Sequence, residues 1–233
     1  MKTLKVFKVS FFCVFIIALT SNIHASSSKP TFGVSLGFNM TDMSGDDVKS
    51  SSSEIGFALG GFANYKIAEN LSFQPEFYLS FKNCNIEEDF FYNDIYYGPS
   101  SVYDVRITNE VDIKLTYLEV PLLAKFEFPV NNNLKPFVIA GPYFAIKIGD
   151  SVDSSIHSSA FDQNGNEVLS SDESEDDIDV DFTSTEWGLI FGAGCSFDKY
   201  SLQLRYNYGM SDIADDSDVK LEVISVLFSY SMF

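Results

Sequence analysis

Apolar and polar residues alternate along most of the chain with the two-residue period of β-strands. In the segment TFGVSLGFNMT, Phe32 and Val34 alternate with Gly33 and Ser35. The same alternation recurs in later segments, although one of them, 135–148, is apolar on both faces and its orientation cannot be assigned. The pattern predicts eight strands, at 31–41, 55–67, 71–82, 116–128, 135–148, 183–197, 201–211 and 221–233.

The predicted connections between these strands alternate between long and short. The connections at 42–54, 84–112, 149–182 and 212–220 are long, whereas those at 68–70, 129–134 and 198–200 are short. In an up-and-down meander this order places all the long loops at one end of the molecule. It places the tight turns and both termini at the other end.

The apolar face of the strands is predicted to point outward. Eight strands enclose a space that side chains just fill, and about five large apolar side chains per strand would overfill it. The other face is rich in Gly, Ser, Ala and Asn, which suits a narrow lumen. In an exported protein an outward apolar face meets lipid, and tilted strands of this length cross a bilayer. We therefore predict an all-β fold: an eight-stranded antiparallel up-and-down transmembrane β-barrel in the cell outer membrane, with short periplasmic turns and long extracellular loops.

The start of the chain has the features of a secretory signal peptide. Lys2, Lys5 and Lys8 precede the apolar run 11–19, and Ala25 provides a small residue at a cleavage site. The apolar run is too short to span a bilayer. The sequence therefore predicts a signal peptide at 1–25 and a barrel domain at 26–233.

Composition limits the partners of the chain. It has 33 acidic and 15 basic residues, for a net charge of -18, whereas nucleic-acid binding requires a basic surface. The expected partners are outer-membrane lipid and lipopolysaccharide, the barrel-assembly machinery, and a surface protein or secretion partner. Cys84 and Cys195 would lie in an oxidising compartment, and the sequence leaves open whether they pair.

Charged residues on the polar face are predicted to line the lumen. In a narrow lumen they must pair or be hydrated, because an unpaired buried charge is costly. A structural ion-pair network that plugs the barrel is favoured, and a gated ion or proton path is the alternative. The predicted lumen residues are Lys66, Glu76, Lys82, Glu119, Lys125, Glu186 and Arg205.

The long loops carry the candidate contact residues. Exposed clusters of aromatic side chains mark interaction surfaces, and the loop at 84–112 contains such a cluster. Its members are Phe90, Phe91, Tyr92, Tyr96, Tyr97 and Tyr103. The acidic run SDESEDDIDVD at 171–181 is typical of a solvated loop.

Residues 162–173, DQNGNEVLSSDE, partly match a calcium-binding loop. Asp162, Asn164, Asn166 and Glu173 stand at ligand positions, but Glu167 stands where such a loop requires glycine. The favoured alternative is a β-hairpin that turns at Asn164 and Gly165. We therefore expect no cofactor, and the calcium site remains a minor alternative.

No catalytic motif is present in the sequence. The predicted mature chain contains a single histidine, His157, and it has no nucleophile elbow, metal-spaced histidine pair or phosphate loop. We expect a non-enzymatic protein with no catalytic residue.

Several segments, taken in order, resemble the PorT-like family of outer-membrane β-barrels of Bacteroidetes-type bacteria. They are GVSLGFNMT, YLEVPLLAKF, PFVIAGPYFAI, WGLIFGAG, LRYNYGMSDI and the terminal SYSMF. The resemblance covers residues 31–233 and implies an eight-stranded outer-membrane barrel. Most members have no assigned activity, and the founding member's role in secretion does not transfer with the fold. A small pore or an accessory component of a protein secretion or transport system is therefore kept as the alternative function.

Three local predictions concern strand ends and one proline. Phe233 is the expected signal for barrel assembly, although the alternation places it opposite the outward residues of the last strand. Pro121 cannot donate a ladder hydrogen bond, so we predict a bulge or bend there, facing the lumen. Aromatic residues near strand ends fit interfacial girdles: Phe32, Tyr65, Phe81, Phe128, Tyr143, Trp187, Phe197 and Tyr208.

Overall fold

A computed structural model of the protein describes residues 29–45, 51–96, 102–128, 130, 134–162, 164–175, 182–213 and 218–232. These residues form nine strands: β1 (Thr31–Ser44), β2 (Ser51–Lys66), β3 (Leu71–Tyr96), β4 (Val102–Glu127), β5 (Leu134–Phe161), β6 (Glu167–Glu175), β7 (Thr185–Phe197), β8 (Tyr200–Gly209) and β9 (Lys220–Ser231). Within the same ranges no helix is long and apolar enough to cross a membrane. The signal peptide predicted at 1–25 and the assembly residue Phe233 lie outside the described residues.

The strands form one antiparallel sheet that closes into a ring. Pairing runs from β1 through β2, β3 and β4 to β5, and then through β7, β8 and β9 back to β1. Followed around this circuit, the register returns to β1 about ten residues from its start, a stagger that corresponds to strongly tilted strands. The all-β antiparallel ring agrees with the prediction. The strand count does not, because β6 is an additional strand that pairs with β5.

Three strands extend well beyond the ring. β3 and β4 have 26 residues each and β5 has 28, so the predicted loops at 84–112 and 149–182 are largely strand. Alternation did not reveal these extensions, because both faces of a strand outside the membrane meet water. Residues 87–96 of β3, 102–110 of β4, 155–161 of β5 and the whole of β6 form a four-stranded unit, called here the projecting sheet.

The predicted orientation of the two faces is confirmed. Along β1 the side chains from Phe32 to Met40 on the apolar face are 45–57% exposed, whereas Ser35 and Asn39 are 2% exposed. Several side chains of β5 that point into the ring are large and apolar, and they include Phe137 and Ile139. The lumen is therefore polar on some strands and apolar on others.

Glycines on one strand make room for aromatic rings from the next. Gly60 faces Tyr78, and Gly188 faces Tyr143. A Cβ added to Gly60 would lie 2.5 Å from the Tyr78 ring, and one added to Gly188 would lie 2.8 Å from the Tyr143 ring. These rings cover the small residues, as aromatic side chains do over glycine in other sheets. Large side chains from β3 and β5 thereby fill the narrow lumen.

Apolar side chains fill the lumen towards the end that carries the long connections. They belong to one buried cluster, whose members come from β1, β3, β4, β5, β7, β9 and the segment after β8. The members at this end include Met43, Cys84, Ile113, Leu115, Val152, Ile213 and Leu221, with Phe182 and Val219 packed against them. This cluster fills much of that end of the described interior with apolar side chains.

Two local predictions were wrong. The register of β4 is unchanged on both sides of Pro121, and the irregularity in β4 lies between Thr116 and Tyr117 instead. Pro121 is fully buried, so its ring fills the lumen without displacing the strand. Tyr143 belongs to the lumen and not to an aromatic girdle, because β5 turns it inward and buries it completely.

Cys84 and Cys195 are both free thiols. Cys84 is buried in the lumen on β3, near the long connections. Cys195 faces Pro136 and Leu202 near the opposite end of the ring. Their positions at opposite ends explain why they do not pair.

Candidate functional site

The centre of the lumen contains a lysine held between two glutamates. Lys82 Nζ lies 2.7 Å from Glu119 Oε1 and 2.9 Å from Glu186 Oε2. The hydroxyl of Tyr143 donates a hydrogen bond to Glu186 Oε1 at 2.5 Å. Lys82 is 0% exposed, so its charge is compensated entirely by protein groups. Four consecutive strands of the ring, β3, β4, β5 and β7, are thereby tied together across the lumen.

A second buried ion pair lies beside the first. Arg205 on β8 binds Glu76 on β3 through two contacts, at 2.6 and 2.7 Å. Gln74 donates a further hydrogen bond to Glu76 at 2.6 Å, and the guanidinium lies 5.5 Å from the centre of the Tyr78 ring. Paired guanidinium and carboxylate groups of this kind are geometrically specific, and this pair fixes β8 against β3.

The space between the two ion pairs is small. A cavity of about 10 Å³ is lined by Tyr78, Glu119, Arg205 and Asn207, which is about the size of a single water molecule. The Tyr78 hydroxyl and Asn207 Oδ1 have no hydrogen-bond partner among the described residues. The described side chains at this point leave room for about one water molecule.

The structure divides the predicted lumen residues into two groups. Glu76, Lys82, Glu119, Glu186 and Arg205 form the buried network described above. Lys66 and Lys125 lie instead at the mouth beside the short turns, where they line a pocket of about 340 Å³. Lys125 pairs there with Glu127 at 3.0 Å. Sequence analysis missed Lys29 and Lys135 in this pocket, because strand alternation gives no information on residues at strand ends.

The aromatic candidates lie on the projecting sheet, and the structure separates them onto two faces. Phe90 and Tyr92 share a face with Val105 and Ile107, their partners on β4. Tyr103 lies on the same side of β4. Phe91 lies on the opposite face and is 65% exposed. Tyr96 is the last residue of β3, and Tyr97 lies outside the described residues.

The face that carries Phe91 is organised around an ion pair. Arg106 donates two hydrogen bonds to Asp89, at 2.7 and 3.3 Å, and Thr108 donates a third at 2.6 Å. The guanidinium lies 5.2 Å from the centre of the Phe91 ring. These hydrogen bonds, chiefly from Arg106, lower the pKa of Asp89. Arg106 thus connects an acidic and an aromatic side chain on the outside of the molecule.

The calcium candidates do not converge in the structure. Asp162 Oδ1 accepts hydrogen bonds from the backbone N–H groups of Asn164 and Asn166, at 2.8 and 2.9 Å, and these bonds lower the pKa of Asp162. Gly165 adopts a positive φ of 78° in the turn. Glu173 lies about 20 Å along β6 from this turn. The hairpin alternative is therefore confirmed, and no metal-binding group of three or more such ligands is found in the described part of the chain.

His157 has partners that the sequence did not reveal. Its Nδ1 contacts Asp172, which faces it on β6, and its Nε2 lies 3.0 Å from Ser159 Oγ. A serine, a histidine and an aspartate in this order are the elements of a nucleophilic triad. However, Ser159 is only 5% exposed. It also lies on an inner strand of the projecting sheet, paired on both sides, so the ladder engages the backbone donors needed for an oxyanion hole.

Comparison with known proteins places the chain in a family. The model of the outer membrane protein beta-barrel domain matches residues 25–215. The chain belongs to this family. It is accordingly an outer-membrane protein, as the apolar outer face of its strand ring predicts. This match does not by itself show membership of the PorT-like group that the sequence resembles. No curated protein gives a significant match.

Solved outer-membrane proteins resemble the chain at low identity. Ail, the attachment invasion locus protein of Yersinia pestis, is 14% identical over 88% of this chain and 100% of Ail, with a TM-score of 0.40. Neisserial surface protein A is 16% identical over 88% of this chain and 100% of its own, with a TM-score of 0.38. The translocator domain of the autotransporter NalP from Neisseria meningitidis is 9% identical over 97% and 96%, with a TM-score of 0.28.

Proposed function

We propose that this protein is an eight-stranded transmembrane barrel with a plugged lumen, and that it acts through its outer surface. The observation that carries the plug is the closed centre of the lumen, where the Lys82 and Arg205 ion pairs leave about 10 Å³ between them. β6 belongs to the projecting sheet and not to the membrane ring. In this arrangement the short turns lie in the periplasm and the long connections lie outside the cell. A narrower, PorT-like identity remains a proposal from the sequence resemblance.

The projecting sheet is the proposed contact surface. Phe90 and Tyr92 are exposed on one of its faces. The other face carries the Asp89–Arg106 ion pair and Phe91. Exposed aromatic side chains beside an arginine are typical of interaction surfaces. The proposed partner is a surface protein, with lipopolysaccharide and lipid around the barrel and the barrel-assembly machinery engaged during insertion.

A capture experiment tests the contact surface. The intact protein and a variant with Phe90→Ser, Phe91→Ser and Tyr92→Ser would be used as bait against intact cell-surface fractions. The control carries Val168→Ser and Leu169→Ser, two exposed apolar residues on β6 of the same sheet. We expect the first variant to lose a partner that the control retains. Equal capture by all three proteins would contradict the assignment of the aromatic cluster.

The protein is proposed to be non-enzymatic despite the Ser159–His157–Asp172 contacts. The poor accessibility of Ser159 argues against acyl transfer. A fluorophosphonate probe, which labels activated serines, tests this point. We expect no labelling above that of the Ser159→Ala variant, and labelling confined to Ser159 would contradict the proposal.

The alternative from another class is a small pore or an accessory component of a secretion or transport system. Conductance in planar lipid bilayers distinguishes it from a plugged barrel. The plugged lumen predicts no steady current. Steady channels from the unmodified protein would overturn the plug.

A further inference from the structure

The mouth of the lumen beside the short turns contains a pocket with an unusual charge. The pocket has a volume of about 340 Å³, which falls within the range of small-molecule sites. Four lysines line it, Lys29, Lys66, Lys125 and Lys135, against the two acidic residues Glu127 and Asp198. This local excess of positive charge occurs in a chain whose net charge is -18.

Most of these ammonium groups have no acidic partner. Lys125 pairs with Glu127 at 3.0 Å and lies 4.2 Å from the centre of the Phe137 ring. Lys29, Lys66 and Lys135 make no ion pair with any carboxylate in the described ranges. These three lysines are exposed around the mouth of the pocket. Like charges that share one mouth repel each other, and an anion placed among them relieves that repulsion.

The strand register places the lysines on two sides of the pocket. Lys66 on β2 faces Ser72 on β3, which faces Lys125 on β4. The backbones of these two lysines are therefore about 10 Å apart, and a ligand between them is within reach of both side chains. Lys135 approaches from β5 on the other side of the ring.

The wall next to Lys135 provides neutral hydrogen-bond donors. Ser196 faces Lys135, and Ser201 and Ser229 follow in register on the next two strands. All three serines line the pocket, together with Asn64 and Gln74. The pocket thus combines ammonium groups with hydroxyl and amide groups, and it has few apolar surfaces. This chemistry selects a hydrophilic ligand.

We infer that this pocket binds a small hydrophilic anion that carries two or more negative charges on phosphate or carboxylate groups. Lysines act as point charges on flexible stems, so they can adjust to a phosphate or to a carboxylate group. The inference relies on the proposed function only for its location, since that orientation places the pocket in the periplasm. The Glu76–Arg205 ion pair lies at the inner end of the pocket, where Gln74 connects the pocket wall to Glu76.

Calorimetric titration of the full protein in a neutral detergent tests the inference. Inorganic phosphate and citrate would be added separately, with glucose as a neutral probe. We expect saturable binding of phosphate, citrate or both, no binding of glucose, and weaker binding as salt rises. Whichever anion binds identifies the preferred group, and the absence of saturable binding by either overturns the inference.

Two double variants assign the binding to the pocket. Lys66→Gln with Lys135→Gln removes two lysines that have no acidic partner, so folding should be retained. We expect each lost lysine to weaken anion binding about fivefold. Lys114→Gln with Lys220→Gln removes the same charge at the opposite end and should leave affinity unchanged. Equal losses in both double variants would overturn the pocket assignment, whether or not the lumen conducts ions.

Discussion

Individual lumen residues depend on each other through their charges. Lys82 is compensated by Glu119 and Glu186, while Arg205 is compensated by Glu76, and all five groups are buried. A buried ion pair adds little stability compared with apolar packing, but the removal of one partner is costly. The network therefore closes the lumen and also makes the fold sensitive to single substitutions.

Replacement of Lys82 by methionine is expected to destabilise the fold by about 3–5 kcal/mol, because two carboxylates lose their buried counter-charge. Lys114→Met is the matched control, since Lys114 pairs with Asp153 at 3.0 Å on the exposed surface. Exposed pairs contribute about 1 kcal/mol or less. Urea-induced unfolding in lipid vesicles measures both variants. A similar, small loss in both would show that the Lys82 contacts do not form.

The Asp89–Arg106 pair predicts a pH dependence in the projecting sheet. The pKa of Asp89 is lowered in the folded protein, so its pairing stabilises the sheet above the ordinary pKa of an aspartate. That contribution is lost as the pH falls through the lowered value. We expect amide protection around residues 89–108 to fall at acidic pH. Asp89→Asn should remove this change, whereas Glu88→Gln should keep it.

At the scale of elements, strand packing depends on where glycine is placed. Gly188 lies beneath the Tyr143 ring, and Gly60 lies beneath the Tyr78 ring. The two tyrosine rings place their hydroxyl groups near the ion pairs. The glycines that accommodate these rings therefore contribute indirectly to the plug. The long strands β3, β4 and β5 extend out of the ring into the projecting sheet.

Gly188→Ala is predicted to cost about 1–3 kcal/mol, because the added methyl group overpacks the lumen. Its Cβ would lie 2.1 Å from the carbonyl oxygen of Tyr208 and 2.8 Å from the Tyr143 ring. Gly149→Ala is the control, since its nearest contact would lie 3.9 Å away. Thermal unfolding followed by heat-modifiable gel migration measures both. Equal stability of the two variants would contradict the predicted packing.

The sequence was sufficient to predict the ring but not its extensions. In β1 the outward Phe38 and the inward Asn39 follow the alternation, because the lipid outside the ring and the polar lumen favour different side chains. In β5 this contrast is absent: Ile139 points inward and Val138 outward, and only the pairing assigns them. Contacts between distant segments, such as Lys82 with Glu186, depend on a register that no local pattern encodes.

At the scale of the whole molecule, charge and polarity are distributed along the axis of the ring. The short-turn end holds the lysine-lined pocket, the centre holds compensated ion pairs, and apolar side chains pack the interior towards the projecting sheet. An apolar outer surface surrounds these three layers. The outward direction of that surface is the central claim, since an inward apolar face would describe a different class of protein.

The single tryptophan of the chain, Trp187, tests this claim without any substitution. Trp187 lies on β7, points outward and is 46% exposed. The measurement is the quenching of its fluorescence in vesicles that contain lipids brominated on their acyl chains. We predict strong quenching by brominated lipid and little quenching by aqueous iodide. Efficient quenching by iodide with none by brominated lipid would contradict the outward, lipid-facing surface.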